Sequence, residues 1–409
     1  MRIKTLQDIN LQDKVVLYRA PYDIGVETVN GRLEVKDDLR IRATLPTLEY
    51  LLSQNCKIVI LTYVQRPDGQ VVEELRTTPH ARKLAELLGR PVAKVDDCIG
   101  PEIEAKISQM RAGDILMLEN VRFYKKETED DDEFARQLCA GKDVIVFDGF
   151  PQALRIHAST TGILRHLPAV AGFYLAGEVK MLGKILDNPK RPFSALIGGS
   201  KVSDKVAAVG NLLKIADRVM VGGAVAHVFL KAQGYGLGDS FVEDVFVDKK
   251  RREKKDWVAY AKEILEKYKE KIIFPKDSVI SNGSEIKILD ITKDDCPTGW
   301  SVLDIGPETR REFSEIIEKS GTVFLGGPMG KFEDKDFATG TQAILAAMQN
   351  LTQNLSGNTI IAGGDTIDAV RRFSGLENYS HVSLAGGATL DFLAGNELPA
   401  LLPLIIDED

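Results

Sequence analysis

The stretch with the clearest chemical capability is Gly198-Gly199-Ser200-Lys201-Val202-Ser203-Asp204-Lys205, directly behind the apolar run Phe193-Ser194-Ala195-Leu196-Ile197. An apolar run, a glycine pair and a helical pattern describe a strand entering a helix, whose first turn offers unpaired N–H groups and a positive dipole end. Such a terminus seats phosphate. Lys201 and Lys205, four residues apart, then share a helical face and can point at one anion. A glycine turn ahead of a solvated basic helix has the same local pattern, so the segment needs support from the rest of the chain.

The second half repeats the device, at Gly222-Gly223-Ala224, Gly363-Gly364-Asp365-Thr366 and Gly386-Gly387-Ala388-Thr389, with a further loop at Gly326-Gly327-Pro328-Met329-Gly330. Several helix termini aimed into one crevice surround a polyphosphate with donors, and a nucleotide is the natural occupant. Asp365 either holds magnesium against those phosphates or caps its helix. Gly326 to Lys331 is not a P-loop, because the spacing is one residue short and Phe332 stands where a hydroxyl would have to bind the metal.

The first half carries arginines instead. Arg19, Arg66, Arg122 and Arg155 stand at or after apolar runs, and Arg40 opens a helical pattern. Guanidinium groups grip phosphate or carboxylate through two bonds at once, so their convergence at one sheet edge would bind a compact polyanion. His157 lies near this set, whereas His80, His166, His227 and His381 have no partner spacing and read as structural. No Ser-His-Asp or Cys-His arrangement is visible, which argues against a covalent nucleophile.

The elements that position these groups alternate. Val15 to Tyr18, Lys57 to Thr62, Ile115 to Leu118 and Val144 to Phe147 read as buried strands, with helical spacing over Ile41 to Ser53, His80 to Leu88 and Pro101 to Met110. The rhythm restarts after about Asp187, with strands near Ala195 and at Arg218 to Val221, Ile272 to Phe274, Thr322 to Leu325, Thr359 to Ile361 and His381 to Ser383. Trp257 to Tyr268, Glu308 to Ser320 and Gly340 to Asn350 read as helices, and Pro168 to Leu186 as a helical connector. The pattern is α/β, two doubly wound parallel sheets joined by a helical hinge.

Bulk properties agree. At 409 residues two domains are expected, and a net charge of -7 argues against general nucleic-acid binding. Cys56, Cys98, Cys139 and Cys296 form no CxxC pair, so neither a zinc site nor a disulfide framework is expected, only reduced buried thiols. Met1 to Thr5 has no apolar signal core and no run is long enough to span a bilayer, giving a cytoplasmic expectation. The acidic run Glu127 to Glu133 and the basic run Lys249 to Lys255 read as solvated faces.

With these residues assembled the chain resembles the phosphoglycerate kinase family over essentially its whole length. The matching stretches are Asp38-Leu39-Arg40-Ile41-Arg42, Leu118 to Tyr124, Arg155-Ile156-His157-Ala158-Ser159, Gly198 to Lys205, Asp304-Ile305-Gly306-Pro307, Gly327-Pro328-Met329-Gly330, Gly364-Asp365-Thr366 and Leu398-Pro399. The resemblance implies an acid-binding domain of residues 1–170 plus 396–409, a connecting helix at 171–186 and a nucleotide domain of 187–395. It implies action on a small phosphorylated carboxylic acid with ATP/ADP and Mg2+; a monomer is expected rather than an oligomer, and neither a nucleic-acid nor a membrane partner is expected from the charge and hydropathy.

By motif position, Lys201 and Lys205 neutralise phosphate charge, Arg40 faces the group in flight, and Gly364 and Gly387 belong to the catalytic loops. Asp365 holds magnesium, Thr366 caps near the phosphates, Glu333 bonds the ribose, and Gly199, Gly222, Gly223 and Gly306 wall the adenine pocket beside Pro328 and Gly363. Arg19, Asp23, Tyr63, Arg66, Arg122, Arg155 and His157 fall at the acid site.

The departures from the family concentrate at that acid site. The family's Arg-Val-Asp-Phe-Asn-Val-Pro is Arg19-Ala20-Pro21-Tyr22-Asp23-Ile24-Gly25, its Ser-His-Leu-Gly-Arg-Pro is Thr62-Tyr63-Val64-Gln65-Arg66-Pro67, and its Ala-His-Arg-Ala-His is Ala153-Leu154-Arg155-Ile156-His157. The residues that read the carbon skeleton have changed while the arginines remain. Asp23 beside an anion costs affinity unless the ligand offers a hydroxyl or amine, so both 3-phosphoglycerate and a related phospho-acid stay open. On the nucleotide side an Asn is Gly326, a Thr is Leu384, and alanines replace the first glycine of two loops, Ala362 and Ala385, where strain or obstruction is expected if φ must be positive. A non-catalytic binder of nucleotide or phospho-metabolite is the rival expectation.

Overall fold

Val15–Arg19, Lys57–Leu61, Ile115–Met117 and Val144–Phe147 pair in one parallel sheet with the short strands Ala93–Lys94 and Ala169–Ala171. Nearly every side chain in the four central strands is buried, which is why their sequences run continuously apolar instead of alternating. From one edge the order is Ala93–Lys94, Ile115–Met117, Lys57–Leu61, Val15–Arg19, Val144–Phe147, Ala169–Ala171, with Val16 opposite both Ile58 and Val144. The winding direction reverses at Val15–Arg19. A crevice therefore opens at the carboxyl ends of the central strands, where Arg19, Thr62 and Asp148 follow.

The computed structural model describes residues 1–248 and 253–406, and it divides into two units, Met1–Lys180 with Glu397–Asp409, and Met181–Asn396. In the first, the helices Leu39–Ser53 and Thr78–Leu88 lay Ile41, Leu48, Leu51 and Leu84 into a core with Tyr18, Ile58 and Val146. Thr78–Leu88 has Pro79 in its first turn and stops at Gly89, whose φ of 63° is the left-handed cap that glycine adopts at least cost. The closing stretch of the chain belongs here too: the Lys4 N–H donates to the Leu404 carbonyl at 2.7 Å and the Ala400 N–H to the Ala153 carbonyl at 3.1 Å.

Two parts of this unit differ from the sequence expectation. Val26–Val29 and Arg32–Val35 form an antiparallel hairpin whose turn is Asn30-Gly31, at φ of 50° and 75°. An Asn-Gly pair is a hairpin signal, since both positions of a tight hairpin turn need positive φ. The connector also begins later than Pro168: Ala169–Ala171 is an edge strand paired with Ile145 to Phe147, and the helix runs Phe173–Asp187. Asp148 decides the break, because its buried Oδ1 accepts the Leu175 N–H at 2.8 Å in the helix's first turn.

In the second unit the sheet order is Ile272–Ile273, Arg218–Val221, Phe193–Ile197, Thr322–Gly326, Asn358–Ala362, His381–Ser383, all parallel. Here the reversal falls between Phe193–Ile197 and Thr322–Gly326, so their carboxyl ends diverge into opposite connections and leave a crevice. The helices Trp257–Tyr268, Pro307–Glu318 and Thr339–Gln353 agree with the spacing, but a three-stranded antiparallel sheet of Asp277–Ser281, Ile286–Asp290 and Ser301–Ile305 was not legible. Its exposed strand Ile286–Asp290 has no clean alternation.

The four cysteines are free and buried, and no helix among the described residues is long and apolar enough to cross a membrane. Residues 249–252 of the basic run lie outside the described residues. The acidic run is not wholly solvated: Glu127 is completely buried, because the Ser159 N–H and hydroxyl bond its carboxylate at 2.8 and 2.7 Å.

Candidate active site

At the reversal point of the second unit three glycine loops pack backbone against backbone. A Cβ on Gly198 would lie 2.2 Å from the Pro328 carbonyl oxygen, one on Gly327 would lie 2.1 Å from the Gly198 oxygen, and one on Gly223 would lie 2.7 Å from the Gly199 nitrogen. No side chain fits these contacts, which explains the glycines better than turn geometry alone. Lys205 is threaded beneath them, 9% exposed, its Nζ donating to the Gly198 carbonyl at 2.7 Å.

Lys201 is placed differently. It is the cap residue of the helix Val202–Ile215, not part of it, and its side chain is 73% exposed with Nζ 3.8 Å from Asp365 Oδ1. The expected shared helical face is thus replaced by one buried and one exposed cation. One N–H of this terminus is met from within the protein, since Ser203 donates to Glu243 Oε2 at 3.2 Å, where a carboxylate also suits the dipole.

Beside the loops lies a cavity of about 620 Å³, lined by Gly199, Lys201, Gly223, Pro328, Glu333 and Asp365 together with an apolar wall that includes Leu230, Val302 and Phe332. A lining that combines glycine backbone, a lysine and two carboxylates with apolar side chains matches a nucleotide in size and polarity. Gly222 and Gly306 are not in this lining. Gly222 leaves room for Met329, and Gly306 for the Asp277 carboxylate, which accepts the Glu308 and Thr309 N–H groups at 3.0 and 2.8 Å and so holds the helix Pro307–Glu318.

Asp365 sits in the first turn of the helix Gly364–Phe373, whose cap is Gly363 at φ 98°. Thr366 is no cap: it is fully buried and its hydroxyl donates back to the Ala362 carbonyl at 2.8 Å. Gly387 likewise opens the helix Gly387–Leu393 behind Gly386 at φ 56°. The positive φ therefore falls on Gly363 and Gly386. Ala362 ends its strand and neither it nor Ala385 takes positive φ, so the strain expected at both alanines is absent.

Asp304 was not singled out for chemistry, yet it borders the cavity. Its carboxylate accepts the Gly340 N–H at 2.6 Å and the Ile305 N–H at 2.9 Å, and burial pushes its carboxyl up to about 7. The folded state then holds a proton that the unfolded chain releases near pH 4, so stability falls as pH rises from about 4 to about 7 and levels above that. Asp304→Asn should flatten this window. Thermal midpoints taken from pH 5 to pH 8 test it, and parallel curves for the two proteins would count against the assignment.

In the first unit the structure joins several of the acid-site residues. Arg19 is fully buried, with Nε donating to the Ser159 carbonyl at 2.8 Å and Nη1 to the Ala20 carbonyl at 2.5 Å. The Arg122 guanidinium lies 3.5 Å from the centre of the Tyr63 ring and that of Arg19 lies 5.3 Å from it, so one aromatic ring serves two cations. Arg19 Nη2 and Arg122 Nε are buried without a protein partner, which suits an anionic ligand.

Gln65, missed as a site residue, is the link. Its carbonyl accepts from Arg122 Nη1 and its N–H donates to Asp23 Oδ1, both at 2.7 Å, while Arg40 Nη1 donates to the Asp23 carbonyl at 2.7 Å. Gln65 reaches both partners at φ 53°, and nothing in its side chain signals that backbone role. Asp23 thus has a bond within the protein, and its carboxylate does not depend on a ligand for a donor. Arg66 is exposed and Arg155 half-buried. His157 Nδ1 lies 3.6 Å from Glu127 Oε1; burial raises the Glu127 carboxyl, but the neighbouring His157 ring and the bonds from Ser159 outweigh it and hold it low. Of the histidines read as structural, His80 is buried against the Ile24 carbonyl, whereas His227 borders the cavity.

A family model described as phosphoglycerate kinase matches residues 6–396. A phosphoglycerate kinase of Moorella thermoacetica is 43% identical over 405 residues, 98% of each chain. One of Pelotomaculum thermopropionicum is 41% identical over 409 residues, 99% of this chain and all of that protein. Among solved structures, phosphoglycerate kinase from Coxiella burnetii matches at a TM-score of 0.82 and 33% identity, covering 98% of this chain and 99% of the other. That from Pyrococcus horikoshii OT3 matches at 0.84 and 32%, covering 98% of each.

Proposed function

The chain belongs to the phosphoglycerate kinase family and is a phosphotransferase acting on a carboxyl group; from that premise we propose that its second unit holds Mg-ATP or Mg-ADP and its first a small phosphorylated acid, 3-phosphoglycerate or a close analogue. The observation that carries the proposal is the cavity of nucleotide size bordered by Gly199, Lys201, Pro328 and Asp365, with Lys205 buried beneath the same glycine loops. An acid carboxylate oxygen attacks the γ-phosphorus, the bond to the β-phosphate oxygen breaks, and an acyl phosphate and ADP result. The attacking group is already an anion, so no general base is required.

Charge control is the protein's share of the work. Lys205 and Lys201 are the candidates to offset the negative charge of the phosphates, and Arg40, fastened to the Asp23 carbonyl, is the candidate cation of the acid-binding unit. Glu333, exposed at the cavity, is the candidate for the ribose hydroxyls. Arg122 and Arg19, with donors left over, are the candidates for the acid's distal phosphate, with Arg66, Arg155 and His157 as further candidates. No cluster of three metal-ligating side chains occurs among the described residues, and Asp365 stands as a single carboxylate by the cavity. One carboxylate plus nucleotide phosphates suits magnesium, which keeps most of its waters, and the ion when bound supplies neutralisation of phosphate charge.

The test is direct. Purified protein given Mg-ATP and 3-phosphoglycerate should release ADP and form a hydroxylamine-trappable acyl phosphate. A panel of phosphorylated acids shows whether the altered acid site prefers another member. Absence of turnover with every acid would overturn the proposal.

A further inference from the structure

Glu127 is a completely buried carboxylate of the first unit, next to His157 and bonded to Ser159, whose own carbonyl meets Arg19. It is an anion set among groups suited to hold an anionic ligand. Burial costs it solvation, and its charge repels such a ligand, so its place needs a compensating role.

Its bonding supplies one. Glu127 stands on the helical turn Lys125–Thr128, which follows the turn Val121–Phe123 that carries Arg122. Across the unit, Oε2 accepts the Ser159 N–H at 2.8 Å, Oε1 accepts the Ser159 hydroxyl at 2.7 Å, and His157 Nδ1 lies 3.6 Å from Oε1. The Ser159 carbonyl then accepts from Arg19 Nε at 2.8 Å, and the Ala20 carbonyl takes Nη1 at 2.5 Å. With two of its nitrogens committed the Arg19 guanidinium plane is fixed, and the buried Nη2 is the donor left without a protein partner. Arg19 and Arg122 share the Tyr63 ring, so two like charges are kept close, and a fixed anion nearby lowers the cost of that arrangement when no ligand is present. One carboxylate thus ties the segments of Arg19, Arg122 and His157 together.

On the reading that this unit binds a phosphorylated acid, we propose that Glu127 is a positioning residue of the acid site: acting through Ser159, it holds Arg19 with one donor free for the ligand, and this gain in binding exceeds the repulsion its charge exerts on that ligand. The sign of the effect is the discriminating feature. If Glu127 only added negative charge, neutralising it would tighten the phospho-acid; if it positions Arg19, neutralising it loosens the phospho-acid. A glutamine keeps one acceptor for Ser159 and turns an amide NH2 toward the other Ser159 donor, so it breaks the chain of bonds while keeping the side-chain shape.

Steady-state kinetics of the full-length parent, Glu127→Gln and Ser159→Ala with Mg-ATP and 3-phosphoglycerate test this. Loss of a hydrogen bond to a charged group should raise the KM for 3-phosphoglycerate by about tenfold to a hundredfold in Glu127→Gln. The kcat at saturating acid and the KM for Mg-ATP should stay within about twofold, the pattern of lost ground-state binding at one site. Ser159→Ala removes one bond to the carboxylate but keeps the carbonyl that meets Arg19, so its rise in acid KM should be smaller, about threefold to tenfold. An acid KM in Glu127→Gln within about twofold of the parent overturns the proposal, as does a lowered acid KM or an equal rise in both KM values, which is what a merely structural carboxylate would give. Should Glu127→Gln not fold, Ser159→Ala decides alone, and an acid KM unchanged from the parent overturns the proposal. A parent that turns over no phosphorylated acid removes the acid-site reading first and the positioning role with it, whereas an active parent with an unaffected Glu127→Gln removes the positioning role alone.

Discussion

Lys205→Ala is expected to lower kcat by about a hundredfold to a thousandfold, the scale on which removing one preorganised charge-stabilising donor acts. Lys205 is 9% exposed and its ammonium is bonded to the Gly198 carbonyl, so the group is already oriented before a ligand arrives. A charge in that position stabilises phosphoryl transfer without reorganising at the moment of reaction. Ground-state affinity for Mg-ADP should fall far less, because Lys201 and the loop N–H groups remain. Lys205→Arg should not rescue: Cβ atoms built on Gly199 and Gly327 lie 2.4 and 2.5 Å from Nζ, leaving no width for a guanidinium. Steady-state kinetics with calorimetry separate these effects. A variant with kcat within a few-fold of the parent would remove Lys205 from the catalytic set.

Glu119→Ala should have the largest effect on stability. The carboxylate is 2% exposed and takes bonds from Arg76 Nη1 at 2.9 Å, Lys94 Nζ at 2.5 Å, the Thr77 N–H at 2.9 Å and the Asn120 N–H at 2.8 Å. Burial pushes its carboxyl up, but these partners outweigh burial and hold it below the usual range. Its contribution is therefore present above the unfolded carboxylate range and lost as pH falls through the lowered folded value. Truncation leaves the Thr77 and Asn120 N–H groups without their acceptor and removes one of two carboxylates from Arg76 and Lys94, which keep Glu73 and Asp96, at a cost of roughly 1–3 kcal/mol. Urea unfolding of the first unit reads the loss, and a cost below about 1 kcal/mol would mean that water replaces the carboxylate. Arg122 lies three residues beyond Glu119 and Asn120 holds the Val64 and Leu75 carbonyls, so loosened acid binding should accompany the lost stability.

Strands with both faces covered are legible as unbroken apolar runs, and glycines packed against backbone leave their positions open to no other residue. Val15–Arg19, Phe193–Ile197, Gly198, Gly327 and the family motifs were accordingly readable in order along the chain. Long-range bonding was not. Nothing near Asp304 in sequence shows that it will receive the Gly340 N–H, nor that Glu127, inside an acidic run, will be buried on Ser159. Gln65 acts through its backbone, which the residue type hides.

By itself the sequence determined the α/β class, the family and the set of charged groups available for phosphoryl transfer, because periodicity, glycine placement and residue type are local properties. Only the tertiary structure decided how those groups differ: Lys205 buried and bonded while Lys201 is exposed beside Asp365, Arg122 laid on Tyr63, and Thr366 turned inward. The strand order brings residues far apart in sequence to one sheet edge, and burial there sets which charges keep a solvent shell and which must find a partner.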